Sequence, residues 1–168
     1  MGETGSLNPD IEHFIRYNAI PFARQKISVS YIVGDEEDGA VLGYFTLAHK
    51  AVEMPANGLS NTVKKTMNRY AQLDRATNTY LVSGFLIAQF GKNYAVDDGK
   101  RIDGETLMDL ANRELYDLQH RAGGGMVYLD CEPDAKLIHF YEREGFRLFG
   151  ERISDKDGKR YLQYMRFI

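Results

Sequence analysis

The stretch Tyr80–Gln89 (Tyr-Leu-Val-Ser-Gly-Phe-Leu-Ile-Ala-Gln) constrains the fold more than any other. It is nearly unbroken in apolar character, too short to cross a membrane, and rich in aromatic and β-branched residues. It predicts a central strand buried on both faces. Strands of that kind belong to sheets whose faces are covered by helices. The next elements agree. A polar loop runs from Lys92 to Asp103, and a helix opens near Gly104 with Leu107, Leu110, Ala111, Leu115 and Leu118 on one stripe. Gly123-Gly124-Gly125 ends it, and Met126–Cys131 is a short strand. Two strands joined through one helix are expected as parallel neighbours in a right-handed crossover.

The flanking segments add antiparallel strands. Ile27, Val29, Tyr31 and Val33 alternate, Asp35–Gly39 turns the chain, and Val41, Gly43, Phe45 and Leu47 alternate back. Phe146–Ile153 and Tyr161–Phe167 form a second hairpin around a turn at Ser154–Lys159 that contains Asp157-Gly158. Three more helices are expected. Asn8-Pro9-Asp10 opens the first, with Ile11, Phe14, Ile15 and Ala19 inward and Pro21 as its limit. Ser60 caps the second, with Val63, Met67 and Tyr70 at helical spacing. Asp134–Glu144 is the third, with Leu137, Ile138 and Tyr141 inward and Gly145 closing it. The fold class is a mixed α/β sheet with helices on both faces.

Composition narrows the function. A chain of 168 residues is the size of one domain, 1–168, with 43% hydrophobic and 27% charged residues. Its net charge of −3 gives no global basic field for general nucleic-acid binding. The single cysteine, Cys131, excludes a disulfide framework and a cysteine-rich zinc site. No apolar run approaches the ~20 residues of a membrane span and Met1–Leu7 lacks a signal pattern, so a cytoplasmic protein without a membrane partner is expected.

Two segments could carry chemistry. Lys100-Arg101-Ile102-Asp103-Gly104 joins the central strand to a helix N-terminus, where unpaired amides and two cations suit a phosphate. A solvated turn capped by Asp103 explains the same residues. Leu137–Phe146 reads as an amphipathic helix with a glycine C-cap, which accounts for Gly145 without any function.

Within that helix, Phe140-Tyr141-Glu142-Arg143-Glu144-Gly145-Phe146 resembles the FYEKxGF signature of the GNAT N-acetyltransferase superfamily. It follows the strand Val127–Glu132 at the family's spacing, and Gly104-Glu105-Thr106-Leu107-Met108 is similar to the family's GxxLL helix start. The order of elements from Ile27 to Phe167 matches as well. The pyrophosphate loop, usually Q/RxxGxG/A, reads Gly99-Lys100-Arg101-Ile102-Asp103-Gly104, so its second glycine is kept and isoleucine stands at the first. Segment 57–74 looks like an insertion. The chain is also similar to a GNAT branch with a helical insert before the central strand, neighbour to toxins that modify aminoacyl-tRNA.

The resemblance implies a sheet of about six strands in which the two parallel central strands splay into a V. Acetyl-CoA would enter there, with pantetheine on the backbone near Phe90, Gly91 and Lys92. Its pyrophosphate would lie on amides of Arg101, Ile102, Asp103 and Gly104, helped by Lys100 or Arg101. A primary amine attacks directly, backbone N–H holds the oxyanion, and Tyr141 protonates the leaving thiolate. The amine must lose a proton to Glu132, Asp130, Glu53 or His49, or to a water that one of them orients. Each of these is also an ordinary surface group. His139 and His120 read as surface or capping residues, and Cys131 as a small core residue rather than an acetylated nucleophile. No metal is implied.

The resemblance leaves the acceptor open between a small-molecule or peptide amine and an aminoacyl-tRNA. A non-catalytic CoA-binding module is the third alternative. Lys64, Lys65, Arg69 and Arg75, around Tyr70 and against Asp74, read either as a solvated face or as an RNA contact. Edge hairpins such as 146–167 can pair between copies, so a homodimer is among the expected partners.

Overall fold

The structure, a computed structural model, describes residues 13–155 and 158–168. The expected cap Asn8-Pro9-Asp10, Ile11, the side chains of Phe14 and Ile15, and Asp157 lie outside the described residues. The chain divides into two compact units, Met1–Ala48 with Ile87–Asp117 and His49–Leu86 with Leu118–Ile168. A seven-stranded mixed sheet runs in the order β1-β2-β4-β5-β7-β6, with β3 on β4. Its strands are β1 Val29–Gly34, β2 Val41–Pro55, β3 Leu73–Asp74, β4 Thr79–Lys92, β5 Met126–Cys131, β6 Arg147–Ile153 and β7 Arg160–Phe167. The helices are α1 Ala19–Arg24, α2 Asn61–Met67, α3 Gly104–Ala122 and α4 Ala135–Arg143.

In the first unit, β1 and β2 form the expected antiparallel hairpin, with Val29 opposite Leu47 and Val33 opposite Gly43. The Asp35 carboxylate accepts the backbone N–H of Glu37 at 2.8 Å, and Gly39 takes φ +71°. That acidic turn closes locally, as Asp and Gly turns do. Phe45, Leu47, Ile87, Leu107, Met108, Ala111 and Leu115 are buried here. Met108 joins the α3 stripe, whereas Leu110 is half-buried. The N-terminal helix does not stop at Pro21. A π-turn, Phe14–Asn18, passes into α1, which continues to Arg24. Pro21 lies inside this continuous helix, three residues after the π-turn, the kind of local irregularity at which a helical proline is accommodated.

In the second unit, β4 pairs parallel with β5 at Phe85↔Val127 and Leu86↔Tyr128. The parallel pairing is therefore as expected. β7 inserts antiparallel between β5 and β6, with Met126 opposite Phe167 and Leu148 opposite Tyr164. Ser60 caps α2 by accepting the Val63 N–H at 3.3 Å. Met54, Met67, Tyr80, Val82, Met126, Tyr128 and Met165 form one core. Tyr70 lies beyond the end of α2. Its ring fills the space above Gly125, where a Cβ would stand 2.0 Å from it.

Two expectations of burial fail. β4 is not covered on both faces throughout, since Leu81 is 62% exposed and Ser83 is exposed too. Hydrophobic content alone cannot show where a sheet outruns its helices. Leu137 is 39% exposed, because α4 is only nine residues long and one stripe, Ile138 and Tyr141, satisfies it.

Candidate active site

The candidate residues fall in both units. The first holds Phe90, Gly91, Lys92 and the loop Lys100–Gly104; the second holds Glu132 and Tyr141.

Phe90, Gly91 and Lys92 end β4 and are half-buried. Gly91 is there because of Tyr44: a Cβ at Gly91 would lie 2.8 Å from the Tyr44 hydroxyl and 3.0 Å from Cζ. Tyr44 is buried, so its ring must move to admit even a methyl. Gly91→Ala is expected to cost about 1–3 kcal/mol, read as a lower urea midpoint. An unchanged midpoint would show that Tyr44 yields freely.

The loop is more committed than its sequence suggests. Lys100 Nζ lies 2.7 Å from Asp38 Oδ2 and 4.0 Å from Asp35 Oδ2, on the β1–β2 turn. Arg101 pairs with Asp98 and donates to the carbonyls of Tyr94 at 2.8 Å and Val96 at 3.2 Å. Both cations thus brace the loop. Asp103 caps α3, accepting the Thr106 N–H at 2.6 Å and its hydroxyl at 3.1 Å. Those bonds hold the Asp103 carboxyl below its usual range. The helix N-terminus therefore already carries an anion of its own chain. A pyrophosphate there would rest on the backbone of Ile102–Gly104 rather than on an unpaired side-chain charge. Asp38 and Tyr94, which the sequence did not single out, hold the loop. Arg101 packs over the Tyr94 ring at 5.7 Å.

In the second unit, Asp134 caps α4 by accepting the N–H groups of Lys136 at 2.9 Å and Leu137 at 3.1 Å. The other end closes as a Schellman motif. Gly145 takes φ +83°, its N–H donates to the Glu142 carbonyl at 3.1 Å, and the Phe146 N–H donates to the Tyr141 carbonyl at 3.0 Å. The apolar contact that accompanies this motif is Tyr141 against Phe146, edge to face at 5.8 Å. Phe140 lies edge-on to Tyr141 at 5.1 Å. The spacing of tyrosine, glycine and phenylalanine in the motif is thus also the spacing of a helix stop. Burial, with a smaller contribution from Cys131, pushes the Tyr141 phenol well above its ordinary range. It keeps its proton at any physiological pH.

The base candidates separate. Asp130 is tied to Arg152 at 2.6 Å and Gln163 at 3.2 Å. Glu132 is half-buried just beyond β5, and among the described residues no ion pair engages its carboxylate. Glu53 is exposed on β2. His49, also exposed, shares a 2.9 Å hydrogen bond with Ser83 Oγ and lies 5.1 Å from the Phe85 ring. Ser83 carries no signal in the sequence. His120 and His139 are exposed on their helices, and no group of metal-ligating residues occurs among the described residues.

Burial raises Cys131 to about 11 and Tyr128 to about 12. The fold favours their protonated forms, so the unfolded chain ionises first. Stability is expected to be level below pH ~9, to fall first as Cys131's window opens and then, above ~10, as Tyr128's does. Urea midpoints at pH 8, 9, 10 and 11 check this. Level midpoints over that range would contradict it.

No protein-family model and no curated protein matches the sequence. Solved structures do. A crystal structure of a bacterial toxin matches with a TM-score of 0.69 at 18% identity, over 99% of this chain and 82% of that one. AtaT complexed with acetyl-methionyl-tRNAfMet matches at 0.64 and 15% identity, over 95% and 83%. A Tyr→Phe variant of the AtaT toxin, bound to the C-terminus of the antitoxin AtaR and to acetyl-CoA, matches at 0.61 and 15%, over 98% and 82%. The chain has the GNAT fold. The GNAT order places α3 directly after the central strand β4 and α4 directly after β5, as the sequence reading expected. Among the described residues, no helix is long and apolar enough to cross a membrane.

Proposed function

We propose that this GNAT-fold chain is an acetyl-CoA-dependent N-acetyltransferase that acetylates a primary amine by direct attack. The observation that carries the reading is Tyr141, a buried, protonated phenol held in place by the cap of α4. AtaT, a structural neighbour, is known bound to acetyl-CoA, which supports the cofactor.

Acetyl-CoA supplies an activated acyl carbon on a thiol leaving group. The β4 backbone at Phe90–Lys92 offers edge hydrogen bonds for an extended pantetheine, and the amides of Ile102–Gly104 suit its pyrophosphate. Lys100 and Arg101 act by fixing that loop, through Asp38 and Asp98. Tyr141 gives its proton to the departing sulfur as the C–S bond breaks and the N–C bond forms. Glu132 or His49 takes the proton that the amine must lose, directly or through water. Acceptors bind on loops, so the amine could be a small molecule, a peptide N-terminus or a lysine.

The acceptor reading with the most specific support is the aminoacyl group of a charged tRNA, because AtaT is complexed with acetyl-methionyl-tRNAfMet at this fold. Titration with acetyl-CoA, followed by thiol release over a panel of amines and charged tRNAs, tests both readings. Absence of any heat with acetyl-CoA or CoA would defeat the first. Turnover on free amines but on no charged tRNA, with harmless expression in bacteria, would defeat the second.

A further inference from the structure

A concavity of about 500 Å³ is lined by Asn68, Ala71, Gln72, Leu73, Arg75 and Tyr80. It lies wholly in the second unit, at the C-terminal end of α2. Its floor is polar and fixed: Tyr80, 2% exposed, donates its hydroxyl to Asn68 Oδ1 at 3.0 Å.

The charge around it is one-sided. Residues 60–76 carry Lys64, Lys65, Arg69 and Arg75 against Asp74 alone, in a chain whose net charge is −3. The Asp74 carboxylate is occupied by the Ala76 N–H at 2.8 Å, and such backbone bonds hold its pKa low. Among the described residues no ion pair or hydrogen bond engages the side-chain nitrogens of the four cations. Lys100 and Arg101 contrast with them, since each has a carboxylate partner. Lys64 and Lys65 stand four and three positions before Asn68, on the side of α2 that leads to it. Tyr70 is 43% exposed beside them, with its ring stacked on Phe167 at 5.7 Å.

We infer that this concavity is a docking site for an RNA strand, with phosphates on Lys65, Arg69 and Arg75 and a base edge on Asn68 and Gln72. Unpaired cations recognise any polyanion, but the Asn68 N–H₂ donor, beside an Oδ1 that takes the Tyr80 hydroxyl, and the Gln72 carboxamide, donor and acceptor together, match a base edge. The inference deepens the aminoacyl-tRNA reading and rests on it, by naming where the acceptor's RNA is held.

The test uses the full chain and fluorescein-labelled deacylated tRNA in anisotropy titrations without acetyl-CoA. With about three phosphate contacts, the slope of log K on log salt should be about −2. Lys65→Gln with Arg75→Gln should weaken binding about tenfold or more at low salt and flatten the slope by about 1.4. Arg113→Gln, an exposed neutralisation on α3, should change neither. Asn68→Ala with Gln72→Ala should weaken RNA binding and leave binding of poly-glutamate unchanged. Thiol release from acetyl-CoA with a free amine is followed on the same samples, and should be unaffected by the Gln variants. Wild-type protein that turns over acetyl-CoA yet does not bind tRNA would overturn the inference and leave the acetyltransferase reading standing. Equal loss with Arg113→Gln, or poly-glutamate competing as well as tRNA, would also overturn it. Site-specific tRNA binding with no thiol release would sustain the docking site while the enzymatic reading fell.

Discussion

Tyr141→Phe should lower thiol release from acetyl-CoA by about 10²–10⁴-fold, the usual worth of a general acid, and leave acetyl-CoA affinity unchanged. The substitution removes one oxygen and keeps the ring between Phe140 and Phe146, so packing and the helix cap survive. Steady-state turnover beside isothermal titration separates the two effects. Turnover equal to wild type would show that the leaving sulfur takes its proton elsewhere. The pH profile adds an independent readout. Burial raises the Tyr141 pKa above that of an ordinary tyrosine, so the wild-type rate should climb as the amine loses its proton and show no fall near pH 10 from loss of the acid. A sharp fall centred on the ordinary tyrosine pKa would mean that the phenol is open to water during turnover.

What the sequence disclosed followed the range of the interactions involved. Local devices were legible. Gly39, Gly123 and Gly145 all adopt positive φ where turns or helix ends were expected, Ser60 caps its helix as expected, and the helix expected from Asp134 starts there, with Asp134 as its cap. The apolar run of β4 with the short apolar β5 gave their parallel pairing, because a strand, helix and strand of those lengths have one favoured connection. Pairings between distant residues were not legible. Nothing in Lys100-Arg101 says that Asp38, sixty-two residues earlier, takes the lysine, yet that contact decides whether the loop offers a free cation. His49 with Ser83, thirty-four residues apart, is the same case. Burial failed where coverage by another element set it, as at Leu81 and Leu137.

That difference bears on how the candidate site should be read. Part of the GNAT-like signature has a mechanical cause in the structure. Tyr141, Gly145 and Phe146 occupy the three positions at which a Schellman stop requires a carbonyl, a left-handed residue and an apolar partner. A helix stop alone accounts for the glycine and for two apolar residues. It does not account for a phenol where phenylalanine or leucine would pack as well. The chemical role we propose for the hydroxyl is what Tyr141→Phe tests, while the ring beside it serves the helix stop.

Phe146→Ala follows from that division, and is expected to cost about 3–5 kcal/mol of stability. The residue is 2% exposed. Its ring carries the Arg166 guanidinium 4.7 Å above its centroid, and Arg166 also donates to the Glu144 carbonyl at 2.9 Å, so the side chain underlies the whole stop of α4. Urea unfolding should show a lower midpoint with the slope retained. Phe146→Leu, which keeps most of the volume, should cost under about 1.5 kcal/mol. Turnover separates packing from positioning. With one wall removed, the Tyr141 ring gains freedom, and on the proposed mechanism a misplaced proton donor slows the chemical step while acetyl-CoA binding is retained. Phe146→Leu should thus show intermediate turnover at nearly wild-type stability. If Phe146→Leu turns over acetyl-CoA at the full rate, the phenylalanine serves only the helix stop, and Tyr141 needs no wall to hold its hydroxyl in place.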